Sequence, residues 1–170
     1  MSGALGHCVL LVGLKIPDTT AITTFHAFQD LGFTDIIEVR RWSCYEFDYQ
    51  GRSRSGNSDR FEERISKVDI LVNANKNTSL VIGAKEDIPK KLGKGLGIIL
   101  VRDLDKSGQG LLKTLRDRLG FHEITGLRQG VLWGIGLRDK VPKGSRQEVL
   151  RQCAQTLLYN KHYQTYQVIG

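Results

Sequence analysis

The sequence predicts an α+β fold built from two similar units that follow each other along a chain of 170 residues. One observation is that Leu119-Gly120-Phe121 repeats Leu31-Gly32-Phe33 after an interval of 88 residues. A second is that each motif ends an apolar helical stripe and precedes two short alternating runs. Because self-similarity at a fixed interval is the signature of internal duplication, we predict two copies of one small fold.

Further matches keep the same order in both halves. At the interval of 88 residues, Val39-Arg40 meets Leu127-Arg128. Apolar coincidences alone are common in proteins, whereas the shared order of several short motifs is a stronger signal. The other pairs are Leu10-Leu11-Val12 with Ile98-Ile99-Leu100, Ile36 with Ile124, Tyr45 with Trp133, Phe47 with Ile135, Asn75-Lys76 with Asn160-Lys161 at an interval of 85, and Ile82-Gly83 with Ile169-Gly170 at 87.

The first unit is predicted to contain four strands and two helices. Pro17-Asp18-Thr19 ends the first strand and caps the first helix, which Gly32 stops. Asp59 and Glu62 resemble a capping box that opens the second helix after a polar loop, Gly51 to Ser58. The four strands are predicted at Cys8 to Ile16, Asp35 to Arg40, Cys44 to Tyr49 and Thr78 to Ile82.

The second unit is predicted to follow the same plan. Its first helix, Gly108 to Leu119, ends at Gly120, and Ser145 with Glu148 forms a capping box for the second helix. A hairpin with its turn at Gln129-Gly130 joins the middle strands. The order strand-helix-strand-strand-helix-strand is the ferredoxin-like βαββαβ pattern with antiparallel sheets. The strands are predicted at Leu96 to Leu104, Ile124 to Leu127, Leu132 to Leu137 and Gln164 to Ile169.

These patterns divide the chain into a first repeat, 1–84, a linker, 85–95, and a second repeat, 96–170. Units of that size bury little surface alone, so we expect them to pack as an intramolecular pseudo-dimer in which each covers the apolar sheet face of the other. Residues 1–88 hold 10 Lys/Arg and 12 Asp/Glu, whereas residues 89–170 hold 15 and 6. A basic half is compatible with nucleic acid, a nucleotide or an acidic protein partner, and composition does not choose among them.

Composition and motifs argue against several classes of protein. The longest apolar runs, Cys8 to Val12 and Ile98 to Val101, are far shorter than the roughly 18 residues of a bilayer-spanning helix. No secretion signal is recognisable, so we expect a cytoplasmic protein with no membrane partner. The three cysteines, Cys8, Cys44 and Cys153, form no Cys-x-x-Cys pair and are predicted to be buried, reduced thiols.

Residues that could carry a reaction are few. The glycines Gly93, Gly95 and Gly97 imitate a dinucleotide loop, but they precede a strand, whereas the mechanism requires them to follow one. Asp103 and Asp105 could hold a cation at a strand end, although a solvated turn is the commoner situation. We therefore predict no catalytic residue, no metal site and no cofactor. The four histidines share no metal-ligand spacing with the cysteines: His7, His26, His122 and His162.

Two groups of side chains remain as binding candidates. Both units place arginine at the same strand end, and we assign Arg40, Arg41 and Arg128 to an interaction surface, with a surface salt bridge as the alternative. The aromatic strand Tyr45 to Tyr49 is compatible with base stacking on a ferredoxin-like sheet. Glu46 and Asp48 interrupt that strand, so apolar packing is the preferred interpretation and RNA binding the alternative.

With the two units aligned, the chain resembles the PurS family, the small subunit of phosphoribosylformylglycinamidine synthase. In that family, a helix that ends in Leu-Gly-Phe/Tyr is followed by Val-x-x-Val-Arg-x-Gly-Lys and an acidic-apolar strand. The second unit resembles the pattern at Asp105, Gly108, Leu115, Leu119-Gly120-Phe121, Arg128, Gly130 and Leu157-Leu158-Tyr159-Asn160. The first unit resembles it at Leu31-Gly32-Phe33, Ile36, Val39-Arg40, Glu46 and 71–75.

This resemblance implies a non-catalytic subunit in purine biosynthesis. In the family, an ATP-dependent synthetase subunit activates the formylglycinamide amide, a glutaminase subunit supplies ammonia, and the PurS subunit bridges the two. The doubling resembles the amino-terminal region of the large single-chain synthase. The partners implied are therefore the synthetase and glutaminase subunits, with a homo-oligomer as a further expectation.

The chain departs from the family pattern at the middle of each unit. The hairpin glycine is Trp42 in the first unit, the lysine after it is Ser43 or Val131, and the acidic strand residue is Gly134 in the second unit. If these positions contact partner subunits, the interaction surface has changed. An RNA-binding module and a sensor of amino acids or nucleotides are the two alternative functions.

Overall fold

A computed structural model of the protein describes residues 4–51, 57–104 and 108–169. Within these ranges the chain forms six strands and five helices, and two of the helices continue as π-helical turns. The strands are β1 (Ala4–Leu14), β2 (Ile36–Gly51), β3 (Asn77–Gly83), β4 (Leu96–Asp103), β5 (Ile124–Leu137) and β6 (Gln164–Ile169). The helices are α1 (Thr19–Asp30), α2 (Asn57–Ile65), α3 (Ile88–Leu92), α4 (Gly108–Lys113, continued by Thr114–Arg118) and α5 (Lys143–Cys153, continued by Ala154–Leu158).

The described strands form one six-stranded sheet in the order β3-β1-β2-β5-β4-β6. Every neighbouring pair is antiparallel. This confirms the predicted α+β class, and the arrangement is compatible with ferredoxin-like folds. Strands β1 to β3 come from the first half of the chain and β4 to β6 from the second, so the pairing of β2 with β5 joins the halves.

The predicted strand pairs in the middle of each unit are wrong. Ile36–Gly51 is one strand of 16 residues and Ile124–Leu137 one strand of 14, so each half runs strand-helix-strand-helix-strand. Gly130 makes no turn, because it lies opposite Cys44 on one side and Arg102 on the other. A glycine between two alternating runs was mistaken for a turn residue. Its actual place is inside a strand with neighbours on both sides.

Four helices cover one face of the sheet. Helices α2 and α4 pack on the part formed by β1, β2 and the start of β5, where Phe61, Leu115 and Phe47 belong to one buried cluster. Helices α1 and α5 pack on the part formed by β2, β4 and β5, where Phe28 and Leu150 are buried. Since α1 belongs to the first half of the chain and α4 to the second, each half contributes a helix to the core of the other.

The opposite face of the sheet is covered in part by the connection between the halves. Strand β3 lies at one edge and β4 near the other, so this connection crosses the sheet. Helix α3 lies in it, and Ile88 and Leu92 pack against a cluster that includes Leu11, Ile98 and Leu132. We expected the halves to bury sheet faces against each other. They join edge to edge instead, because β2 pairs with β5 from Ile36 to Tyr49.

The two halves correspond in register as well as in order. Ser43 and Val131, which are 88 residues apart, lie opposite each other in the β2–β5 pair. In the neighbouring strands Leu11 pairs with Cys44 as Leu100 pairs with Leu132. The predicted match of Leu11 with Ile99 is therefore wrong by one residue, a shift that would place the two side chains on opposite faces of the sheet.

A turn before the last strand of each half has the same hydrogen bonds. The side-chain oxygen of Asn73 accepts from the backbone N–H of Asn75 at 3.0 Å, and that of Asn160 accepts from His162 at 3.0 Å. Asn73 thus corresponds to Asn160, whereas the sequence alignment had matched Asn75 with Asn160. Such a turn allows the chain to reverse direction, because the asparagine side chain hydrogen-bonds to the backbone of the residue two positions later.

Of the predicted helix caps, the one at Asp18 is confirmed, whereas the capping box at Ser145 and Glu148 is wrong. Helix α5 begins at Lys143 after Pro142, so Ser145 and Glu148 lie inside the helix and form no capping box. Glu148 instead pairs with Arg151 at 2.7 Å. The loop at 52–56 and the side chain of Asp59 lie outside the described residues. Asp18 caps α1 as predicted, because its carboxylate accepts from the backbone N–H groups of Thr20 and Ala21.

The predicted glycine helix ends are confirmed in both halves. Gly32 has a φ of 89° and Gly120 a φ of 76°, which is the left-handed region where a side chain is strained. An added Cβ at either position would meet no atom within 4 Å. Glycine is therefore required at these positions because of the positive φ, and not because a larger side chain would clash with its surroundings.

We expect Gly32→Ala and Gly120→Ala each to lower the free energy of unfolding by about 1 kcal/mol. Urea denaturation followed by circular dichroism measures this difference. Gly110→Ala is the matched control, since Gly110 lies in α4, has no positive φ and has equally open surroundings. Equal effects at Gly32 and Gly110 would contradict the conformational explanation.

Candidate functional site

A buried carboxylate with two arginines lies on the sheet face that α3 partly covers. The Glu46 side chain is only 7% exposed. Arg102 donates to it twice, from Nε to Oε2 at 2.7 Å and from an Nη to Oε1 at 2.8 Å. The Nε of Arg128 is 3.9 Å from Oε2. Glu46 lies on β2 in the first half and both arginines lie in the second, so this charged cluster crosses the junction.

Strand register explains why these three side chains meet. Glu46 and Arg128 lie directly opposite each other on β2 and β5, so both point to the same face. Arg102 lies on β4 opposite Gly130, which has no side chain, and the guanidinium can therefore reach across β5 to Glu46. A side chain at position 130 would also meet the backbone of Val101.

The charges in the cluster stabilise one another. Burial by itself raises the pKa of Glu46, but the hydrogen bonds and charge of Arg102 and the charges of Arg128 and His7 outweigh it, so the pKa lies below its usual value. The same hydrogen bonds raise the pKa of Arg102. Glu46 is therefore ionised at neutral pH, and the cluster is a charge-assisted clamp between the halves.

Polar side chains extend the cluster toward both edges of the sheet. His7 on β1 lies opposite Asp48, and its Nδ1 is 2.7 Å from a carboxylate oxygen of that residue. On the other side, an Nη of Arg102 donates to the side-chain oxygen of Gln167 on β6 at 3.1 Å. A band of polar and charged groups thus runs across five strands at one end of this face.

The three arginines predicted as an interaction surface are not brought together. Arg128 belongs to the buried-carboxylate cluster, yet 56% of its side chain is exposed, so it has donors available to solvent. Arg40 lies on the same face but opposite Gly134, toward the other end of the β2–β5 pair, and it pairs with Glu38. Arg41 points to the helix-covered face and pairs with Asp18 at 3.0 Å.

Two of the three rings of the aromatic strand, Phe47 and Tyr49, are not available for stacking nucleic-acid bases. Phe47 is fully buried and Tyr49 is 3% exposed. The Tyr49 ring stacks on Phe61 of α2 with ring centroids 4.0 Å apart, and Phe61 also contacts Phe121 edge to face. The preferred expectation of apolar packing is confirmed, although helices cover this face and not a second sheet. Phe47 and Tyr49 are therefore not accessible to a base, whereas Tyr45 on the same strand is half-buried.

The cysteines are buried and free, as the sequence predicted. Burial raises the pKa of each of the three thiols, Cys8, Cys44 and Cys153, to about 12. A thiol with such a pKa is not a nucleophile at neutral pH, because the thiolate is the reactive form.

One of the two carboxylates that were considered as cation ligands has a hydrogen bond to a neighbouring strand. A carboxylate oxygen of Asp103 accepts from Gln164 at 3.0 Å, whereas Asp105 lies outside the described residues. Within the ranges that the structure describes, no group of three or more potential metal ligands comes together. No helix of those ranges is long and apolar enough to cross a membrane.

Sequence reasoning missed the central pair of this site. Arg102 was not singled out, and Glu46 entered only as an acidic residue in a strand. The available signal was the alternation of β2, which places Glu46 on the same face as the buried Cys44, where an unpaired carboxylate is costly. A buried acidic position in a strand therefore predicts a cationic partner on a neighbouring strand. Comparison of the sequence with protein-family models and with curated proteins finds no match.

Proposed function

We propose that this protein is a non-catalytic, PurS-like subunit that assembles phosphoribosylformylglycinamidine synthase by bridging its synthetase and glutaminase subunits. The observation that carries the proposal is the correspondence between the halves. The 88-residue interval of the sequence motifs is also the interval between Ser43 and Val131, which lie opposite each other at the junction. An internally duplicated PurS-like chain is expected to have this relation.

The correspondence gives the chain two related surfaces. Residues 88 apart on β2 and β5 lie at equivalent distances from the Ser43–Val131 pair, on opposite sides of it. Arg40 and Arg128 are such a pair, and both are exposed. Their surroundings differ, because Arg40 pairs with Glu38 whereas Arg128 lies beside the buried Glu46. Two similar but unequal surfaces are suited to a subunit that contacts two different partners.

The charged cluster supports a rigid bridge. A subunit that holds two partners in a fixed arrangement must keep its own two halves in a fixed relative orientation. The β2–β5 pairing, which spans Ile36 to Tyr49 on β2, and the clamp from Arg102 to Glu46 provide this. Arg128 and Arg40 are then suitable anchors, because arginine is enriched among the residues that dominate protein interfaces.

We expect the purified chain to form a ternary complex with the synthetase and glutaminase subunits when ATP and glutamine are present. Size-exclusion chromatography with light scattering measures the complex, and the glutamine-dependent amidation of formylglycinamide ribonucleotide measures its function. Amidation should exceed that of the two subunits without this chain.

Matched variants separate assembly from folding. Arg40→Gln and Arg128→Gln should each weaken the complex, whereas Arg151→Gln, an exposed position on α5 that pairs only within its helix, should leave it unchanged. Lack of co-elution with either subunit, together with normal growth without purines after deletion of the gene, would rule out the proposal.

A further inference from the structure

A cavity of about 270 Å³ lies between the start of β4, the end of β5 and helix α5. It is in the second half of the chain, on the helix-covered face, and it is separate from the charged cluster around Glu46. Its wall combines apolar side chains with two basic ones. The residues that line it are Gly95, Leu96, Gly97, Leu137, Lys143, Arg146, Gln147 and Leu150.

The equivalent place in the first half is filled by an aromatic ring. Tyr49 lies opposite Gly6 at the end of the β1–β2 pair. Its ring covers Gly6 so closely that a Cβ there would overlap the ring, and its other side stacks on Phe61 of α2. The first half therefore uses a glycine, a tyrosine and a phenylalanine to close the gap between sheet and helix.

The second half lacks that ring. Leu96 lies opposite Gly136. The preceding Gly95 is a turn residue with a φ of 94°, and it lines the cavity together with Leu137, the residue 88 positions after Tyr49. A Cβ on Gly95 would meet no atom within 4 Å, in contrast to Gly6. On the helix side, Arg146 and Gln147 line the gap. The cavity thus lies where a flat ring lies in the other half.

The basic side chains at this cavity are free to bind an anion. Arg146 is half-buried, and its Nε donates to the backbone oxygen of Val141 at 3.3 Å, which orients the guanidinium. Among the described residues, neither its two Nη groups nor the amino group of Lys143 has a hydrogen-bond or ion-pair partner. Arg151 on the same helix differs, since it is paired with Glu148 at 2.7 Å.

We propose that this cavity binds a small aromatic carboxylate. The ring of the ligand takes the place corresponding to the Tyr49 ring, against Gly95 and Leu137, and the carboxylate pairs with Arg146 and Lys143. A guanidinium donates two parallel hydrogen bonds to a carboxylate and also packs against aromatic faces, which suits such a ligand. The cavity is smaller than the roughly 300–1,000 Å³ of pockets for drug-sized ligands, so it has space for a single ring.

The test is a titration of the full chain with benzoate, followed by backbone amide signals in two-dimensional NMR. Benzoate should shift the signals of Gly95, Gly97 and the residues of α5 in a saturable manner. Benzamide has the same ring without the charge, and inorganic phosphate has charge without a ring. Neither should produce saturable shifts at these residues.

Three variants identify the site. Arg146→Gln should weaken benzoate binding about tenfold, because it removes a charge-assisted hydrogen-bonding group. Leu137→Phe should abolish binding by filling the space with a ring, as in the first half. Arg151→Gln should bind benzoate as the unchanged protein does. Circular dichroism establishes that each variant is folded, and Arg146→Gln tests the charge independently if Leu137→Phe fails to fold.

Several results would overturn the proposal. These are the absence of saturable shifts up to the solubility of benzoate, equal binding of benzamide, and equal binding of phosphate at the same residues. Unchanged affinity in folded Arg146→Gln would also overturn it. The outcome is independent of complex formation with the synthetase and glutaminase subunits.

Discussion

Replacing Arg102 with methionine is expected to lower the free energy of unfolding by about 3 kcal/mol near neutral pH, the lower end of the range for breaking a buried ion pair. The variant leaves the Glu46 carboxylate, which is 7% exposed, without its two hydrogen bonds. Arg128 remains, but its Nε is 3.9 Å away. We expect a loss at the lower end of that range because Arg128 remains near Glu46 and because a quarter of the Arg102 side chain is exposed.

The loss of stability in Arg102→Met should be larger at neutral pH than at low pH. In the unchanged protein the pKa of Glu46 lies below its ordinary value of 4.5. The ionised carboxylate therefore stabilises the fold fully above pH 4.5, and this stabilisation is lost as the pH falls through the lowered pKa. Without Arg102, burial still raises the pKa of Glu46 while its main opposing influence is lost, so the pKa should be higher than in the unchanged protein. Protonation then removes the buried charge, so the difference in stability between variant and unchanged protein shrinks as the pH falls.

Urea denaturation at about pH 7 and about pH 4 measures both effects, since linkage ties stability to proton binding. Glu46→Gln combined with Arg102→Met is the control, because it removes the uncompensated carboxylate and should recover part of the loss at neutral pH. A loss that is the same at both pH values, or a double variant as unstable as Arg102→Met alone, would show that packing and not charge explains the effect.

Gly130→Ala is expected to have an effect of similar size, about 3 kcal/mol or more, because overpacking forces a backbone shift. A Cβ at this position would overlap the carbonyl group of Val101 on the neighbouring strand. Backbone cannot move aside as a flexible side chain can, so β4 and β5 must separate locally. The shift would also carry Arg102 away from Glu46, since Arg102 lies opposite Gly130.

Gly144→Ala is the matched control for this variant. Gly144 lies in α5 and an added Cβ there meets no atom within 4 Å, so alanine should raise the stability by about 0.5–1 kcal/mol. Hydrogen exchange of the β4 and β5 amides localises the damage in Gly130→Ala. Unchanged stability, or faster exchange in β1 and β3 but not in β4 and β5, would contradict the steric explanation.

Local signals predicted the features that depend on neighbouring residues in the chain. The motif Leu-Gly-Phe predicted helix ends at Gly32 and Gly120, and both have the expected positive φ. Asp18 was recognised as a helix cap from its position after a proline. These predictions succeeded because capping and left-handed conformation depend on a few adjacent residues.

Signals that depend on another part of the chain were misread. Gln129-Gly130 has the composition of a turn, yet β2 and β4 pair with β5 on both sides of Gly130 and keep the chain extended. Ser145 and Glu148 have the spacing of a capping box, but α5 begins earlier at Lys143. Tertiary pairing outweighs local preference in such cases, because many interstrand hydrogen bonds compete with one turn.

Local sequence patterns were sufficient to predict the α+β class, the helix ends at glycine and the burial of the three cysteines. Periodicity and backbone conformation are properties of short segments, so they can be predicted from neighbouring residues in the sequence. Three features became evident only from the folded chain: the halves share one sheet, Arg102 reaches Glu46 across Gly130, and the second half has a cavity where the first has a ring. These features depend on strand register and on space left by distant residues, which no local pattern encodes.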